Sequence, residues 1–122
     1  MKEINLPKRE IKFRCWFAGK MWQVIRIDFL SGRVYLSEDG QNEDTYSDFT
    51  KEDFVLMQYT GLKDKNGKKI YEGDILEYKN TGAWGRFVVK WDKRGFWDCG
   101  IDYKNSKIIG NLFENPELLR DN

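Results

Sequence analysis

Glu72, Asp74, Glu77, Asp98 and Asp102 are the carboxylates of this 122-residue chain that could form an acid/base or metal constellation. Two or three of them, converging, would hold Mg²⁺ for phosphodiester hydrolysis. Their spacing does not bring them together. Glu72 and Asp74 flank Gly73 in an apparent turn, and Asp98 and Asp102 lie across strand and loop. Since Asp and Glu are mostly surface residues, turn shaping and solvation are their expected roles, and no catalytic or metal-binding residue is assigned. Histidine is absent, which removes imidazole bases, Ser-His-Asp and Cys-His nucleophile systems and His-ligated zinc. Cys15 and Cys99 belong to no CxxC pair and are expected to be buried free thiols.

A second constellation is aromatic and basic. Trp84, Arg86, Lys90, Trp91, Arg94 and Trp97, with Lys79 nearby, are candidate nucleic-acid contacts: rings that stack on bases and cations that follow phosphates. The competing reading assigns the five tryptophans, Trp16 and Trp22 included, to core and subunit packing. Whole-chain charge favours that second reading. Lys plus Arg is 21 against 20 for Asp plus Glu, a net charge of +1, whereas phosphate-backbone binding draws on excess cations. The charges are also segregated, with seven acids against Lys51 alone over residues 38–53 and basic stretches at 1–20 and 63–69. Such polarity within a neutral chain suits self-association.

The elements that must position these groups are short strands. Ile11-Lys12-Phe13-Arg14-Cys15-Trp16-Phe17 alternates, placing Ile11, Phe13, Cys15 and Phe17 inward and Arg14 and Trp16 outward, with Trp16 at a rim or interface. Ile25, Ile27 and Phe29 repeat at period two, and Ser31-Gly32 turns the chain into Val34-Tyr35-Leu36. Thr50-Lys51-Glu52-Asp53 is read as a turn into a strand starting near Phe54. Asn66-Gly67 predicts a tight hairpin with two residues at positive φ. A further hairpin is expected between 85–91 and 95–99, and a last strand at 107–111. Asn115-Pro116-Glu117 predicts a short C-terminal helix, with Asn115 as its N-cap.

Together these give a mainly β chain, expected as a small barrel-like domain of antiparallel strands with an N-terminal hairpin layer and a short C-terminal helix. Residues 1–10 read as a polar extension and 11–119 as one domain, with an internal division expected near residue 60. No apolar run approaches a membrane span and the N-terminus lacks a secretory signal's apolar middle. The chain is expected to be soluble and unexported, with no membrane partner.

The run Leu56-Met57-Gln58-Tyr59-Thr60-Gly61-Leu62-Lys63-Asp64-Lys65-Asn66-Gly67-Lys68-Lys69-Ile70-Tyr71-Glu72-Gly73-Asp74-Ile75-Leu76 resembles the central signature of the YopX-like proteins of bacteriophages and prophages of low-GC Gram-positive bacteria. Ile11-Lys12-Phe13-Arg14 with Trp16, and Ile109-Gly110-Asn111 followed by Glu114-Asn115-Pro116-Glu117-Leu118-Leu119, fall in the family's order. The resemblance implies a self-associating, barrel-like phage accessory protein without an assigned activity. It transfers no catalytic, cofactor or binding residue.

The expectation is therefore a non-enzymatic protein of the bacterial host cytoplasm, working as a homo-oligomer or on a host or phage protein, without a cofactor. A small-barrel nucleic-acid binder is the alternative. A metal-dependent phosphodiesterase using Glu72, Asp74 and Asp98 ranks last.

Overall fold

The computed structural model describes residues 6–80, 83–100 and 102–120, with no account of the side chains at 80, 83 and 84. Its first half is six antiparallel strands: β1 (Phe13–Phe17), β2 (Lys20–Asp28), β3 (Arg33–Ser37), β4 (Thr45–Asp48), β5 (Val55–Lys63) and β6 (Lys69–Tyr71). They pair in the order β4-β3-β2-β1-β5-β6. The alternation in β1 does put Cys15 inward, opposite Trp22 of β2 and Leu56 of β5. Around it Val34 and Leu36 are fully buried, with Phe17, Trp22, Val24, Ile27 and Phe54 packed against them.

The expected Ile25, Ile27 and Phe29 stripe does not form. A bulge between Val24 and Arg26 inserts Ile25 as an unpaired residue, which shifts the alternation by one. Trp22 and Val24 therefore share the core with Ile27, while Ile25 is 37% exposed and Phe29 83%. The Asn66-Gly67 hairpin sits where expected, but only Gly67 has positive φ. The turn closes through Gly67 N–H donating to Asp64 O and Asp64 N–H to Lys68 O, so Asn66 needs no left-handed backbone.

The second half is a three-stranded sheet and a separate hairpin. β7 (Asp74–Asn80), β8 (Ala83–Val88) and β11 (Lys107–Asn111) pair in the order β11-β7-β8, and β9 (Lys90–Asp92) pairs with β10 (Phe96–Asp98). The expected 85–91 strand is therefore split between two sheets. At the break, Val89 donates its N–H to Asp74 O and its carbonyl accepts from Gly73 N–H, after which the chain enters the β9–β10 hairpin. Ile70, Leu76, Val89 and Cys99 form the second core, with Leu62, Trp97, Tyr103 and Ile108 against it. Residue 60 falls inside β5, which sends Leu56 to the first core and Leu62 to the second.

The sheets do not close into a barrel. β6 and β11 line one cleft without pairing, and three of their backbone N–H groups donate to side chains. Tyr71 N–H donates to Asp74 Oδ2 (2.8 Å), Ile108 N–H to Asp64 Oδ2 (3.0 Å) and Asn111 N–H to Asn115 Oδ1 (3.2 Å). A strand whose donors are already engaged offers a poor ladder.

The C-terminal helix is also corrected. Pro116–Leu119 is a single 3₁₀ turn, and Asn115 makes no side-chain cap to it, because its Oδ1 serves Asn111 instead. No helix among the described residues is long and apolar enough to cross a membrane.

Candidate functional site

The residues of the central signature meet those of the C-terminal segment in a cleft of about 610 Å³, lined by Arg14, Lys68, Lys69, Tyr71 and Asp74 and by residues 108–111, 114 and 115. At its base Arg14, from the face of β1 read as outward, donates from Nη2 to Asp74 Oδ1 at 2.8 Å and to Glu72 O at 3.3 Å. Its guanidinium lies 4.8 Å from the Tyr71 ring centroid. Asp74 is almost fully buried. Burial pushes its carboxyl above the ordinary value, and Arg14 and the Tyr71 N–H oppose that shift. Both oxygens of Asp74 are thus engaged inside the protein, as a residue that holds β1 to the turn before β7.

Asn111, Asn115 and Lys69 are engaged as well. Asn111 Oδ1 accepts from Phe113 N–H and Glu114 N–H, and its Nδ2 donates to Glu114 Oε1. Lys69 pairs with Glu10 at 2.9 Å. The segment packs so closely that a Cβ built on Gly110 would stand 2.5 Å from Asn115 Oδ1 and 2.8 Å from Asn115 Cβ. Gly110→Ala is therefore expected to displace Asn115 from the Asn111 N–H and destabilise the fold by about 1–3 kcal/mol, measured by urea unfolding. Wild-type stability in that variant would mean that the segment is loosely held.

The remaining carboxylates do not gather. Glu77 pairs with Arg86 at 3.2 Å, Asp98 accepts from Gly100 N–H, and Asp102 accepts from Asn105 Nδ2. Among the described residues no group of three His, Cys, Asp or Glu could hold a metal ion. Cys15 and Cys99 are buried and unpaired. Burial raises the Cys15 thiol to about 12, while burial and the nearby Asp98 and Asp74 raise Cys99 to about 11, so neither supplies a thiolate at neutral pH.

The aromatic and basic candidates divide between two sheets. Trp91 and Trp97 face each other across β9–β10, 4.9 Å between centroids and edge to face. Trp97 packs on the second core, whereas Trp91 is 52% exposed. Arg94, on the same hairpin, grips Asp92 through Nε and Nη2 at 2.9 and 3.1 Å and lies over Phe96. Lys90 stands opposite Asp98. Arg86 sits on β8, donating to Glu77 and, at 2.7 Å, to Leu118 O. Lys79 pairs in register with Trp84, whose side chain lies outside the described residues.

A model of the YopX protein family matches residues 12–120. The chain belongs to the YopX family. A crystal structure of protein EF1440 from Enterococcus faecalis is similar to it throughout, with a TM-score of 0.66 and 28% identity over 93% of this chain and 100% of that one. No curated protein sequence matches.

Two features of this YopX chain escape a reading of the sequence. Asp64, buried under the lysine-rich turn, accepts backbone N–H bonds from Asn66, Lys68 and Ile108. An aspartate one or two residues before Asn-Gly signals the first two of these, but nothing local signals the third. The other feature is an open apolar groove along β1 and β2, lined by Ile11, Phe13, Val24, Ile25, Ile27 and Phe29.

Proposed function

We propose that this YopX protein is a non-enzymatic accessory protein of a phage or prophage that acts inside the bacterial host cell by contact, self-associating and using its surfaces on a host or phage protein. The observation that carries the reading is the contrast between its polar and apolar groups. The side chains with catalytic potential are engaged in holding the fold, Asp74 by Arg14 and Tyr71, and the two thiols are buried. Large apolar side chains, by contrast, stand in water: Ile11 is 71% exposed, Phe29 83% and Leu30 100%. Contiguous exposed apolar surface marks interaction sites.

Nucleic-acid binding is supported less. Arg86 and Arg94 would have to leave Glu77, Leu118 O and Asp92 to reach phosphates. Sedimentation velocity over a wide concentration range is expected to show reversible association that persists at high salt, because apolar contact rather than charge drives it. A species that stays monomeric at every concentration would contradict the reading. So would saturable, salt-sensitive quenching of tryptophan fluorescence by DNA or RNA.

A further inference from the structure

Lys63 and Lys69 stand directly opposite each other in the β5–β6 ladder, on either side of the Asn66-Gly67 turn. Paired lysines repel across a ladder. One acid offsets this: Glu10, at the end of the N-terminal extension, accepts from Lys69 Nζ at 2.9 Å and stands 3.9 Å from Lys12 Nζ. The hydrogen bond from Lys69 holds the Glu10 carboxyl below its ordinary value, and Lys12 and Lys63 add to that through space. Lys68 continues the basic face into the cleft beside Arg14. Among the described residues Lys63 and Lys68 hold no ion pair. The other acids nearby are already engaged. Asp64 and Asp74 are buried and accept from backbone N–H groups and Arg14, and Glu114, which also lines the cleft, accepts from Asn111 Nδ2. An excess of cation is left on this face.

Resting on the reading that the chain acts on a host or phage protein, we propose that this face receives an acidic segment of that partner, its carboxylates seated among Lys12, Lys63, Lys68 and Lys69 where Glu10 now lies. Opposite charges facing across an interface fix its register. The Glu10 and Lys69 side chains are 48% and 32% exposed, and an ion pair so open to water contributes little to stability. Exchanging one carboxylate for another therefore leaves the fold intact, and Glu10 acts as an internal competitor. Lysine suits the task, since a flexible ammonium follows carboxylates of varied spacing. Two observations favour an acidic peptide over nucleic acid at these lysines. The rings beside them already hold cations, Tyr59 under Lys69 and Tyr71 under Arg14, instead of offering faces on which bases stack. The seven acids of residues 38–53 stand against Lys51 alone in a chain of net charge +1, a field that opposes a long polyanion more than a short acidic segment.

The test is fluorescence anisotropy of the full chain with a labelled peptide of alternating glutamate and serine as the probe, and a duplex DNA of equal charge in a parallel titration. Saturable peptide binding that weakens as salt rises is expected. Lys63→Glu and Lys68→Glu, at exposed positions without ion pairs, should leave the fold intact and each weaken binding about tenfold. Lys51→Glu makes the same change of charge ahead of β5, at the opposite end of that nine-residue strand from Lys63, and should alter binding less than about twofold. Glu10→Gln should tighten binding about threefold, whereas Glu52→Gln, equal in charge, should not. Peptide that does not bind, or that binds Lys63→Glu and Lys68→Glu as it binds wild type, would overturn this site alone, since sedimentation tests the contact reading separately. Equal loss in Lys51→Glu, or no tightening in Glu10→Gln, would overturn it too. DNA that binds more tightly than the peptide, and is lost in the same lysine variants, would overturn both this proposal and the reading on which it rests.

Discussion

Asp74→Ala is expected to cost about 3–5 kcal/mol of folding stability, because it leaves the guanidinium of Arg14 buried without its counter-charge. The Arg14 and Asp74 side chains are only 16% and 3% exposed, so water cannot take over the lost interaction. The substitution also orphans Tyr71 N–H, which donates to Asp74 Oδ2. Against a typical total of about 5–15 kcal/mol, much of the folded population would be lost on warming. Arg14→Lys should fall between wild type and Asp74→Ala, since it keeps a charge but gives up the guanidinium fork and its contact over the Tyr71 ring. Replacing both partners, Arg14→Met with Asp74→Leu, should recover most of the loss, as paired apolar replacements of buried ion pairs do. Urea unfolding of the single and double variants checks this. An Asp74→Ala chain within about 1 kcal/mol of wild type would mean that the pair behaves as a surface ion pair. It would also reopen Asp74 as a residue free for other work.

Local patterns carried the fold as far as the strands, and long-range ones decided the rest. The alternation of β1, the strand at Val55–Lys63 and the position of the Asn66-Gly67 hairpin were legible because pleat and turn chemistry act over a few residues. What covers the second face of a strand is set elsewhere in the chain. Arg14 and Trp16 alternate outward from Cys15, Trp16 reading as a rim or interface residue, yet Arg14 meets Asp74 and Trp16 stacks on Phe113 at 5.6 Å and 18°. The bulge at Ile25 left no mark in the sequence, and it alone displaced the expected apolar stripe. Barrel closure failed for a similar reason. β6 and β11 stay unpaired with Asp74, Asp64 and Asn115 on their N–H groups, and the Asp64 bond to Ile108 joins residues far apart in the chain. The exposure of Phe29 and Leu30 emerged only from the geometry of the turn beneath them.

Asp64 gives the other large effect, and its pH dependence identifies the cause. Burial alone would raise the pKa of this carboxyl, but the N–H bonds from Ile108, Lys68 and Asn66 outweigh it and hold the value below the ordinary 3.8. A depressed folded-state pKa means that the unfolded chain takes up the proton first. The contribution to stability is therefore complete above about 3.8 and is lost as pH falls through the folded value. Asp64→Ala should cost about 3 kcal/mol, since three backbone donors lose their acceptor at a site only 6% exposed. Asp64→Asn should cost less, about 1–2 kcal/mol. Its amide oxygen can keep the two turn bonds at 2.9 Å, while the amide nitrogen opposes the Ile108 N–H that Oδ2 accepts at 3.0 Å. Only the carboxylate titrates, so the difference in stability between wild type and Asp64→Asn should be constant near neutrality and shrink as the solution is acidified below about 3.8. Asp74, whose pKa is raised, shifts stability in the opposite sense over its own range and cancels in this difference because both chains contain it. A difference that stayed flat into acid would show that Asp64 serves the hairpin through shape alone, with its charge contributing nothing to the tie between the 64–68 turn and β11.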